Sequence, residues 1–104
     1  MAKATRSAQA QDDIDDLADY IAEENPTAAR QFLDAVERTI QLLTATPELG
    51  GVFPLPGRPQ LRAHRISPRF RNYIVFYESN DDGVLIVRVI HGRRDLTTAF
   101  ESDC

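Results

Sequence analysis

Apolar positions follow two periods along this chain, a helical one first and a strand-like one after it. Ile14, Leu17, Ala18 and Ile21 recur at helical spacing, while Asp12, Asp13, Asp15, Asp16 and Asp19 fill the remaining directions. Ser7 stands where an N-cap belongs, and the early aspartates complement the positive end of the helix dipole. Asn25-Pro26 then interrupts the pattern: Asn caps and Pro is favoured at the first helical position, so a second helix starts at once. Its stripe is Ala29, Phe32, Leu33, Val36, Ile40 and Leu43, and it stops before Pro47. Two helices joined so closely form a hairpin whose stripes can cover one face of a sheet, with Leu33 and Val36 expected against its core.

From residue 71 to 95 the period changes to two. Two runs rich in Val, Ile, Tyr and Phe flank the polar turn Ser79-Asn80-Asp81-Asp82-Gly83, the pattern of a β-hairpin with central strands. With residues 79–82 as the loop, Ile74 and Phe76 share a face with Leu85, Val87 and Val89. That face is wholly apolar and has to be covered. The other carries Tyr73, Val75, Tyr77, Ile86, Arg88 and Ile90, a face suited to a partner or ligand. Residues 47–60 contain four prolines and three glycines, yet Val52, Phe53 and Leu55 make them too apolar for a free linker, so an ordered loop is expected. Residues 61–66 read as a short strand, Ser67-Pro68 as a turn, residues 1–7 as at most a short edge strand, and 96–100 as a tail docking on the sheet. The order is β-α-α-β-β-β. The fold class is α+β, a helical hairpin packed on one face of a small antiparallel sheet.

A chain of 104 residues, 42% hydrophobic and 27% charged, has the make-up of a single globular domain over residues 1–104. No apolar run approaches a membrane span, and the N-terminus lacks the apolar core of a signal peptide. The single cysteine, Cys104, has no intrachain partner, which fits a reducing, cytoplasmic setting. Net charge is −4, divided unevenly. Residues 1–55 carry four basic and ten acidic side chains, and residues 56–104 eight basic and six acidic. Between Arg58 and Arg71 lie five arginines and a histidine with no acid. The whole chain is not a general nucleic-acid binder, but this segment could meet something anionic.

Several stretches together resemble the RelE/ParE family of bacterial toxins from toxin–antitoxin pairs. They are Ser7-x-x-Ala10-x-x-Asp13-Ile14-x-x-Leu17-x-x-Tyr20-Ile21-Ala22, Asn25-Pro26-x-Ala28-Ala29, Pro47-x-Leu49-Gly50, Tyr73-Ile74-Val75-Phe76-Tyr77, and Val89-Ile90-His91-Gly92-x-Arg94-Asp95. They span residues 7–96 in the family's order. The resemblance implies a toxin held silent by a cognate antitoxin, in a hetero-oligomer. In ribosome-dependent members it also implies an RNA-cutting set: basic residues on the second strand, an arginine early in the third, another after the fourth, and a tyrosine in the tail. Here Arg62, Arg65 and Arg94 match basic positions, but Ile74 and Phe100 stand at the other two. The sequence is therefore closer to the ParE branch, known for poisoning DNA gyrase. A ribosome-dependent mRNA endonuclease is the alternative, and an inactive assembly module with the same fold is the second.

Arg62, Arg65, Arg69, Arg71, Tyr73, Tyr77, Arg88 and Arg94 are the candidates for holding a target or antitoxin. His91, Arg94 and Arg65 are weak catalytic candidates, since acid–base chemistry needs a second positioned group that spacing alone does not supply. His91 reads rather as a structural histidine, His64 has still less support for chemistry, and Arg94-Asp95 reads equally as a local ion pair. The aspartate run reads as a solvated helix face rather than a metal site, because no histidine joins it. No cofactor, metal or membrane is expected, and no phosphate-binding glycine loop or nucleophile–base pair is visible.

Overall fold

The computed structural model describes residues 3–66 and 68–92. The elements in order are β1 (Lys3–Arg6), α1 (Ala8–Glu24), α2 (Pro26–Ala45), a 3₁₀ turn (Pro47–Leu49), β2 (Gly51–Val52), β3 (Arg62–Arg65), a second 3₁₀ turn (Pro68–Phe70), β4 (Tyr73–Asn80) and β5 (Gly83–His91). The strands form one sheet in the order β1-β5-β4-β3-β2. The expected β-α-α-β-β-β order is present. The sheet is mixed, because β1 runs parallel to β5, and it gains β2, a two-residue edge strand drawn from the Pro/Gly-rich loop.

Local chemistry sets the helix ends. Ser7 Oγ accepts the Ala10 N–H at 2.9 Å and donates to the Val87 carbonyl at 2.9 Å, so one hydroxyl caps α1 and ties it to β5. Asn25 ends α1 with its own N–H on the Ile21 carbonyl. Its Oδ1 accepts the Ala28 N–H at 3.0 Å and starts α2, with Pro26 at the first position. No described helix is long and apolar enough to cross a membrane.

The hairpin is tighter than the spacing suggested. β4 continues to Asn80 and β5 begins at Gly83, leaving Asp81-Asp82 as the turn. Gly83 has φ +144°, and a Cβ there would overlap the backbone of Lys3. Its bare Cα is what lets β1 lie alongside β5, whose register starts at Lys3↔Gly83.

Both faces of the hairpin are covered, and the helices lie on the face that the sequence suggested for a partner. Val75, Tyr77, Val84, Ile86 and Val89 pack with Ile14, Phe32, Val36 and Leu43 beneath the helices. Ile74, Phe76, Leu85, Val87 and Ile90 form the other face, where Leu61, Phe53 and Leu55 of the loop close over them. Phe53 meets Phe76 edge-on at 5.2 Å. The expected grouping of Ile74, Phe76, Leu85 and Val87 holds. Val89 and Ile90 exchange sides because of a β-bulge: Phe76 pairs with Arg88 and Tyr77 with Ile86, leaving Val87 without an opposite residue. Leu33, expected in the core beside Val36, is 38% exposed, whereas Phe32 and Val36 are fully buried.

Candidate functional site

Tyr77, a candidate contact residue, is fully buried and presents no surface. Its hydroxyl donates to the Pro47 carbonyl at 2.7 Å and accepts the Gly50 N–H at 2.8 Å. Burial pushes its pKa above the ordinary tyrosine value, opposed by the Gly50 hydrogen bond and the nearby Arg62 charge. Gly50 leaves the room this needs: a Cβ there would come within 2.5 Å of the Tyr77 hydroxyl and 2.9 Å of the Ala63 carbonyl. Arg62 completes the latch by donating from Nη1 to the Gly50 carbonyl at 2.7 Å and the Glu48 carbonyl at 3.3 Å. This side chain therefore holds the first 3₁₀ turn against β3.

Arg88 is also committed internally. Its Nε and Nη2 donate to Asp13 Oδ2 and Oδ1 at 2.7 and 3.2 Å, a bidentate pair joining β5 to α1. The same carboxylate accepts the Val89 N–H at 3.1 Å and the Gln9 amide at 3.1 Å. Asp13 is thus buried, unlike the solvated face expected of the aspartate run. The bulge that leaves Val87 unopposed puts Arg88 and the Val89 N–H within reach of one carboxylate. Helical spacing places Asp12, Asp15, Asp16 and Asp19 together on one side and Asp13 nearest the apolar stripe, but it does not name Arg88 as the partner. Arg58 closes the turn at Leu55–Arg58 and pairs with Glu78 at 2.8 Å.

Tyr73 is half-buried in an aromatic cluster, with ring centroids 5.0 Å from Phe32, 6.2 Å from Phe70 and 5.1 Å from His91. His91 lies opposite Tyr73 in the strand register and meets its ring edge at 84°. His64 Nδ1 lies 2.6 Å from the Arg65 carbonyl. Ile74 packs into the loop-covered core, its side chain close against the backbone of Gly92.

The end of the sheet where β3 turns into β4 gathers the remaining candidates. Arg65 pairs with Ile74 in register and donates from Nη1 to the Arg71 carbonyl at 2.7 Å. Arg69 lies in the second 3₁₀ turn, and Arg65, Arg69 and Arg71 are all exposed. Arg62 is three residues up the strand from Arg65, ~10 Å at strand rise, so the second-strand cations do not converge. Arg94, Phe100 and the expected docking tail lie outside the described residues. Among the described residues, no group of three His, Cys, Asp or Glu side chains could hold a metal ion.

A family model described as the ParE toxin of the type II toxin–antitoxin system parDE matches residues 5–96. Comparison with curated proteins gives no match. Among solved structures, a chain from the chromosomal ParDE TA system of P. aeruginosa superposes with a TM-score of 0.69 at 16% sequence identity, covering 88% of this chain and 96% of that one. At that identity the likeness is one of fold.

Proposed function

This chain belongs to the ParE family of type II toxins, and we propose that it inhibits DNA gyrase by protein–protein contact and is neutralised by a cognate antitoxin. Gyrase and antitoxin would both be met in the cytoplasm, as a hetero-oligomer with the antitoxin. One observation supports the choice of mechanism: of the positions from which an RNA-cutting site would be assembled, Arg62 and Ile74 are engaged elsewhere. Arg62 is bound to two backbone carbonyls. Ile74, at the position where the family resemblance implies an arginine in nucleases, is packed into the core. Metal-free RNA cleavage needs a base for the 2′-hydroxyl, an acid for the leaving oxygen and cations on the developing charge. Removing one placed donor from such a site costs ~10²–10³ in rate, so a set with this gap is a poor nuclease. Inhibition of a protein needs only a complementary surface.

The test is expression of the chain with and without its antitoxin, together with a supercoiling assay on purified gyrase. Growth arrest with DNA breaks, and loss of supercoiling in vitro, are expected. Transcripts cut on the ribosome, with cutting abolished by His91→Ala or Arg94→Ala, would replace this reading with the mRNA endonuclease. No arrest and no effect on either target would indicate an inactive assembly module.

A further inference from the structure

Among the described residues, positive charge at one end of this acidic chain is concentrated and not paired with carboxylates. Arg65 closes β3, Arg69 lies in the turn and Arg71 follows it, all exposed. Among the described residues, the ion pairs are Arg6–Glu37, Arg58–Glu78 and Arg88–Asp13, so none of these three arginines meets a carboxylate. The turn that bears them is held firmly. Phe70 packs on Phe32 at 5.5 Å and on Tyr73 at 6.2 Å, and the Arg65 guanidinium clasps the Arg71 carbonyl. A backbone tied by these contacts has less freedom to lose on binding, and the guanidinium fork geometry suits carboxylates.

We propose that this arginine-bearing end of the sheet is the surface by which the toxin engages an acidic surface on its protein target. The inference rests on the gyrase reading above. A protein fits better than a nucleic acid for two reasons. Duplex binders can neutralise ~6–10 phosphates, and the three described guanidiniums around this turn fall well short of that. The net charge of −4 would also repel a long polyanion, while a local patch of opposite sign still steers a protein encounter.

The experiment uses the full chain and gyrase holoenzyme, with association rates measured at low and physiological salt. Arg69→Glu/Arg71→Glu should slow association by about ten- to a hundred-fold at low salt and flatten its salt dependence. Arg69→Lys/Arg71→Lys should keep most of the wild-type rate, and the thermal midpoint should not move in either variant. If the reversal does lower the midpoint, Arg69→Gln/Arg71→Gln replaces it, with a smaller slowing expected. Unchanged association in the charge-altered variant overturns the surface while leaving gyrase as the target. A wild-type chain that never binds gyrase removes the target and this surface with it. Wild-type binding to a mixed-sequence DNA duplex, lost on charge reversal, would assign the patch to nucleic acid instead.

Discussion

The Asp13–Arg88 pair offers a quantitative check on how the helices are held to the sheet. The two side chains are 10% and 21% exposed, so both charges are mostly withdrawn from water. Asp13→Ala leaves the half-buried Arg88 without this carboxylate and removes the acceptor of the Val89 N–H at the bulge. Breaking a buried pair from one side typically costs ~3–5 kcal/mol, a large part of the ~5–15 kcal/mol that holds a domain folded. Arg88→Met alone leaves the carboxylate with the Val89 N–H and Gln9, and should cost less. In the double variant the Arg88 charge is gone as well, and the main remaining loss is the unsatisfied N–H at ~1–3 kcal/mol. The double variant should therefore be more stable than Asp13→Ala alone, and its loss should fall short of the sum of the two single losses by ~2 kcal/mol or more. Urea titration followed by circular dichroism measures all four corners of the cycle. Strict additivity, or an Asp13→Ala loss below ~1 kcal/mol, would show instead that the pair is solvated and nearly idle.

Two further outcomes follow from the core. Tyr77→Phe strands the Gly50 N–H and the Pro47 carbonyl, so a loss of ~1–3 kcal/mol is expected in denaturant titration. Its pH dependence has a definite sign: the folded-state pKa is raised, so this contribution is whole below the unfolded tyrosine value near 10 and is lost as pH rises through the folded one. Wild type should lose stability in that alkaline window, and Tyr77→Phe should lose less of it there. On α2, Phe32→Ala should cost ~3–5 kcal/mol, whereas the partly exposed Leu33→Ala should cost below the ~2–5 kcal/mol of a buried leucine. Equal losses in thermal melts would mean that Leu33 is more enclosed than its 38% exposure allows.

The sequence by itself determined whatever depends on neighbours a few residues apart. Ser7 and Asn25-Pro26 mark the helix starts because capping and proline φ are local matters, and the apolar stripes follow from helical period. The hairpin was legible for the same reason, as was the ordered loop over residues 47–60, in which Phe53 and Leu55 pack while Val52 stays exposed. The side of the sheet beneath the helices was not, because β4 and β5 are apolar on both faces and period two then names no inside. Tertiary structure decided that, by giving Tyr77 its hydroxyl partners at Pro47 and Gly50 beneath the helices and closing the other face with Phe53, Leu55 and Leu61. It also decided which charges are available. A bulge in β5 turns one aspartate of five into a buried partner for Arg88, and the fold draws Arg62 onto backbone carbonyls while leaving Arg69 and Arg71 exposed. Side chains of identical chemistry were separated only by what lay within about 3 Å of each once the chain had closed, the reach of a hydrogen bond.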